Sequence, residues 1–241
     1  MNVTLKNIRG IDDAMISLYM SKGNYDNDKD FLIRETVKVS TNSRGFIEKP
    51  TRYFNELYEK VLKYGVMHTT ILRFIDFSFV VEGLHRGAQD DLDAHAERFH
   101  TRIIRQSTRL GKFKEGDVSD YYNGKILTTY QALTEVLGMK LPDSFMDNEG
   151  NIYLRTTNGY IREDCKNEQD VIRGLYNLSI PSTCICKIDL LQYAHVYRMR
   201  NKDTHAHEEL RDMITSLTSQ LAKALNMSEE RFITTLNSII Q

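Results

Sequence analysis

Between Pro50 and Gly65, the apolar residues Phe54, Leu57, Tyr58, Val61 and Leu62 fall three and four positions apart. That spacing gathers side chains on one face of a helix, and Gly65 is the expected stop. From Thr70 to Glu82 the pattern changes to alternation. Ile71, Ile75, Phe77, Phe79 and Val81 fall to one side, and Asp76, Ser78 and Glu82 to the other. A strand with one buried face is predicted. Gly83 and Gly87 then bracket an expected turn. Gln89 to Arg105, charged, proline-free and rich in helix formers, reads as a polar helix.

Further along, Leu127 to Leu137 reads as a short helix. Ile152 to Ile161 reads as a hairpin turning at Asn158-Gly159, a pair that tolerates the positive φ of a type I′ turn. Val171, Ile172, Leu175, Tyr176 and Leu178 mark a helix ending before Pro181, and Thr183 to Ile188 a short strand. Leu190 to Met199 is predicted helical. So is Leu210 to Leu225, through Met213, Ile214, Leu217 and Leu221 at core spacing, and a last helix starts near Ser228. The sum is a mixed α/β or α+β chain in which helix dominates.

With 241 residues, 41% hydrophobic and 27% charged, the chain can bury a real core, and a single domain over 1–241 is expected. Its 32 basic and 33 acidic residues nearly cancel, so no global field recruits nucleic acid or a membrane surface, and any anion must be held locally. No apolar run approaches a bilayer span. Three cysteines make no even disulfide framework, and the opening Met1-Asn2-Val3-Thr4 is not basic-then-apolar, so a cytoplasmic setting is expected.

Two blocks carry chemistry. In the first, His68 precedes the predicted strand, Arg86 opens the polar segment and Ser107-Thr108-Arg109 closes it. In the second, Arg200 ends a helix and a short turn leads into His205-Ala206-His207-Glu208-Glu209-Leu210. Together these blocks resemble the flavin-dependent thymidylate synthases, whose signature is a His before a strand, Arg-His-Arg on a polar helix, Ser-x-Arg beyond it, and a later Leu-Arg followed by His-Ala-Gln. The resemblance implies that family's fold, a central, mainly antiparallel sheet flanked by helices.

Where the family has Arg-His-Arg, the register gives Ala94-His95-Ala96, which keeps an imidazole and removes two guanidinium groups. Alanine cannot imitate a bidentate, always charged ligand. Arg98, Arg102, Arg105 and Arg109 recur three and four apart, so a continuing helix would gather them into one basic stripe suited to phosphate. The alternative is a solvated face paired with Asp90, Asp91, Asp93 and Glu97.

The resemblance further implies methylation of deoxyuridylate, with methylenetetrahydrofolate as carbon donor, reduced FAD as hydride donor and NADPH as reductant. No protein nucleophile is needed, and the chain supplies binding, orientation and electrostatics. Ser107, Arg109 and Arg105 are the implied nucleotide ligands. Arg200 would face the pyrimidine, with Ser107 the second residue given a catalytic part. His68, His95, His205 and Arg98 would lie along the flavin, and a homotetramer is implied. Plainer roles stay open: His68 as a cap or core residue, His205 as the start of a helix capped by Asp203 or Thr204, and Arg109 and Arg200 as surface charges.

Two other functions are open. One is a non-catalytic or flavin-free pyrimidine-nucleotide-binding homologue, and the other a related enzyme modifying a different pyrimidine nucleotide. A metal enzyme using Cys184-x-Cys186 and His205-x-His207 is disfavoured by spacing, and no metal is expected. No Gly-x-Ser-x-Gly turn, phosphate-binding Gly-Lys loop or dinucleotide glycine motif occurs, so a nucleotide site must be built from side chains.

Overall fold

The computed structural model describes residues 1–21, 40–49, 52–95, 102–108, 113, 118–122, 127–156, 158–168, 171, 174, 176 and 178–239. In chain order the elements are β1 (Asn2–Arg9), α1 (Ile11–Ser21), β2 (Ser40–Thr41), β3 (Ile47–Lys49) and α2 (Arg52–Met67). A 3-10 turn (Thr69–Phe74) leads to β4 (Asp76–His85), α3 (Arg86–His95) and β5 (Arg102–Arg105). Next come α4 (Thr129–Gln131), extended by a π-helical turn (Ala132–Val136), and β6 (Ser144–Met146), β7 (Ile152–Thr156) and β8 (Gly159–Arg162). The chain finishes with β9 (Pro181–Asp189), α5 (Leu190–Arg200), α6 (Glu208–Ala224) and α7 (Glu229–Ser238). This is the mixed helix-and-sheet class read from the sequence.

A four-stranded sheet has the order β1-β4-β9-β5, and β6, β7 and β8 form a second, antiparallel one. By contact density the chain divides into two compact units. The first holds residues 1–81, 91–104 and 184–241, and the second 82–90 and 105–183. Among the described residues no helix is long and apolar enough to cross a membrane.

The first unit is organised by helices whose apolar faces are buried. Met213, Ile214, Leu217 and Leu221 of α6 join Leu5 of β1, Met15 and Leu18 of α1, Val61 of α2 and Phe232 of α7 in its core. Phe77 meets Tyr193 edge to face at 5.2 Å, a favoured aromatic geometry. The buried Tyr193 hydroxyl pairs with Thr218 Oγ1 at 2.8 Å, which removes the penalty of burying it unpaired. Gln220 serves the edge strand β1, accepting from Leu5 N at 2.9 Å and donating to Val3 O at 2.8 Å.

Several boundaries depart from the sequence reading for local reasons. Helix α2 runs through Gly65 to Met67, because that glycine is a close-contact site rather than a stop. A Cβ there would lie 2.5 Å from Leu72 Cδ2. The strand expected from Thr70 starts only at Asp76, since Thr69–Phe74 winds into a 3-10 turn, and it continues to His85. Gly83 belongs to that strand rather than to a turn. Its φ of +80° slips the alternation by one, so that Leu84 is buried where Gly83 would have been.

The long polar helix is the largest correction. Helix α3 spans Arg86–His95, and Arg102–Arg105 is a strand, in which the β-branched pair Ile103-Ile104 favours extended backbone. The helical stripe of arginines is therefore not formed. On a strand, residues three apart point to opposite faces, which separates Arg102 from Arg105, and Arg98 and Arg109 lie outside the described residues. The hairpin is present, but Thr156 pairs with Gly159, so Gly159 already belongs to β8 rather than to the turn. Helix 171–178 falls largely outside the described residues.

Candidate functional site

Strand β9 passes into α5 without an intervening loop. Asp189, buried and in extended backbone, accepts from Gln192 N at 2.8 Å and so satisfies one of the free amides of the first turn. Eleven residues later the helix ends at Arg200, where Asn201 returns to extended backbone. The segment that follows is tied to itself. Asp203 N donates to Asn201 Oδ1 at 2.8 Å, Thr204 Oγ1 to Asn201 O at 2.8 Å, and Arg211 Nη1 to Thr204 O at 3.4 Å. Helix α6 then opens with His207 as its cap, its Nδ1 accepting from Glu209 N at 3.3 Å. His207 thus takes the capping role expected of Asp203 or Thr204, and His205 precedes the helix.

These pieces border a cavity of about 570 Å³ lined by Asp91, Arg198, Arg200, Thr204, His205 and His207 among others. Arg200 is held at both of its Nη groups. Nη2 donates to Asp91 Oδ1 at 2.8 Å and Nη1 to Met199 O at 3.1 Å, while the side chain is only 13% exposed. Its Nε–H is buried and has no partner among the described residues. A buried donor left unmade is costly, and an acceptor oxygen entering the cavity would relieve it. On the same helix, burial raises the Tyr197 phenol above its usual range, and the carboxylates of Asp203 and Glu229 act in the same direction, so it stays neutral.

The first unit also holds His68, exposed and packed against Tyr64 with ring centroids 4.4 Å apart, outside the lining of this cavity. His95 is the last residue of α3, and the placement of its side chain lies outside the described residues.

Arg105 and Ser107 belong to the second unit. There Arg105 pairs with Asp90 and donates from Nη2 to Gln89 O at 3.0 Å. Gln89, fully buried, donates to Leu84 O at 2.8 Å and to Ser182 Oγ at 2.7 Å, and its Oε1 accepts from Arg86 Nη1 at 3.4 Å. Two guanidinium groups are thereby held by one amide residue. Ser107 is exposed beyond β5. Arg105 is consequently an anchored side chain with an acidic neighbour. In the same unit Tyr122 Oη pairs with His85 Nε2 at 3.1 Å.

The sequence leaves Gln89 and Arg198 without parts, gives Arg86 only the opening of the polar segment and gives Asp91 only that of a surface countercharge. Arg86 carries a readable signal, since it stands at a strand-to-helix junction. The pairing of Asp91 with Arg200 spans 109 positions and leaves no local trace. Cys184 and Cys186 share the buried side of β9 with Sγ atoms 3.9 Å apart, as alternation requires.

An α+β chain with a cavity built by a helix-ending arginine and a following histidine agrees with comparison to known proteins. The sequence profile of the thymidylate synthase complementing protein family, Thy1, matches residues 23–225. The chain therefore belongs to the flavin-dependent thymidylate synthase family. Thymidylate Synthase X (ThyX) from Helicobacter pylori, solved with FAD and dUMP, superimposes with a TM-score of 0.54 at 13% identity, covering 100% of both chains. The UMP/dUMP methylase PolB from Streptomyces cacaoi, bound with 5-Br dUMP, gives 0.55 at 13% identity over 97% of this chain and 94% of that one. At such identities the likeness shows the fold alone. No curated protein matches in sequence.

Proposed function

We propose that this protein binds a pyrimidine deoxynucleotide and methylates deoxyuridylate to thymidylate. Family membership supports the reaction class, and the solved neighbours carry FAD with dUMP or a brominated dUMP. The single observation that carries the reading is the buried Nε–H of Arg200, without a partner among the described residues, beside a cavity bordered by Arg198 and His205. That donor suits an imide oxygen of a pyrimidine, and the guanidinium charge favours the ring's ionised form. Ser107, Arg105 and Arg109 are assigned to the nucleotide, and Ser107 and Arg200 are given the catalytic parts. His68, His95, His205 and Arg98 are assigned to the flavin.

When bound, methylenetetrahydrofolate supplies the carbon, reduced FAD the hydride and NADPH the electrons that restore the flavin. The chain works as one domain over 1–241, as a homotetramer, in the cytoplasm. The family profile spans most of the chain, including stretches of both compact units, which supports the first of these.

Ala94 and Ala96, standing at the register of two family arginines, favour one second reading: a flavin-free pyrimidine-nucleotide-binding homologue, or an enzyme modifying a related pyrimidine nucleotide. The visible absorption spectrum after adding FAD and removing the excess decides between them. The first reading expects a retained flavin band that is lost in H95A or H205A. Absence of retained flavin, with and without deoxyuridylate, sinks it and leaves the second.

A further inference from the structure

We infer that Asp91 is a positioning residue for Arg200, an inference that rests on the proposed role of Arg200 in nucleotide binding. A guanidinium is planar, so fixing both Nη groups fixes the direction of the remaining Nε–H. Here Nη1 is held by the Met199 carbonyl of its own helix and Nη2 by Asp91 Oδ1, on α3. The backbone carbonyl alone leaves the side chain free to pivot, and the carboxylate removes that freedom.

Burial makes the pairing more than a surface contact. Arg200 is 13% and Asp91 34% exposed, which reduces solvent screening, and the 2.8 Å separation lies within the range of charge-assisted hydrogen bonds, which are stronger than neutral ones. The next residue on α3, Leu92, is buried and anchors the helix that carries the carboxylate. Asp91 also places a negative charge against the guanidinium. It thereby tempers the positive field of a cavity that Arg198 lines as well. Asp91 thus sets both the aim of the free donor and the charge behind it.

Two readouts on the full-length chain test this. The first needs no nucleotide. In nitrogen-15-labelled protein the two Arg200 Nη signals, correlated with an Nε–H assigned by its loss in R200K, should report hindered rotation about the Cζ–Nε bond, which exchanges them. D91A should speed that rotation about tenfold and D91E should restore it. The second is a double-mutant cycle on deoxyuridylate affinity. D91A should weaken binding about tenfold in the wild-type background and leave it unchanged in R200A.

Free rotation of Arg200 in the wild-type chain overturns the inference. So does an affinity loss from D91A that persists undiminished in R200A, or no loss where wild type binds and R200A does not. If Asp91 hinders the rotation but the wild-type chain binds no deoxyuridylate, the positioning role stands and the proposed function fails. Thermal unfolding of each variant identifies any that fails to fold, in which case D91N replaces D91A in both measurements.

Discussion

Replacing Arg200 by lysine keeps a positive charge and removes the planar fork. On the proposed reading R200K binds deoxyuridylate at least about tenfold more weakly than wild type, a loss of about 1.4 kcal/mol measurable by titration calorimetry. Equal affinity for the two would mean that charge alone suffices. Gly10 presents a different kind of residue-level constraint. Its φ is +76°, and a Cβ would lie 1.9 Å from Phe74 O, so G10A must move backbone. A loss of about 3 kcal/mol or more is expected in denaturant unfolding, beyond the cost of the dihedral alone. At this scale the nearness of Arg200 and His205, which line one cavity, was legible, because the motif places them close together in sequence. The partner of Arg200 was not, because Asp91 reaches it through folding, across more than a hundred positions.

Caps and turns decide the elements. Asp189 is nearly buried and closes the first turn of α5, so D189A should lower stability by about 1 to 2 kcal/mol, read as a shift of the unfolding midpoint. The turn between β6 and β7 has a pH signature. Asp147 accepts from the Asn151 side chain and backbone and from Glu149 N, which holds its carboxyl below the usual range. A carboxyl depressed on folding stabilises the folded turn above its unfolded pKa and ceases to do so as pH falls through the folded value. Carboxyl titration by NMR should find Asp147 ionising at lower pH than in N151A, and equal midpoints would remove Asn151 as the cause.

Core-spaced helices such as α6 were read within two residues of their ends. The polar segment after His85 is a helix over its first part, as its charge density suggests, while at its end Ile103-Ile104 selects a strand. The 3-10 turn escaped because its apolar residues, Ile71 and Leu72, also fit the start of an alternating run.

At the level of the whole molecule, fold class was legible, and the long-range partners of the arginines were not. Composition and periodicity gave a mixed helix-and-sheet chain, and two short blocks gave the family. What holds Arg105, by contrast, depends on Gln89, a buried amide whose bonds to Leu84 and Ser182 no periodicity announces. The direct passage of β9 into α5 has a further meaning. With one end fixed by Asp189 and the other carrying Arg200, the helix is a ruler of three turns. Each residue added or deleted within it would rotate its tip by about 100° and shift it by about 1.5 Å. Point substitutions on the outer face of α5 are thus open to evolutionary drift, whereas a change in its length would turn the arginine away from its counterion in a single step.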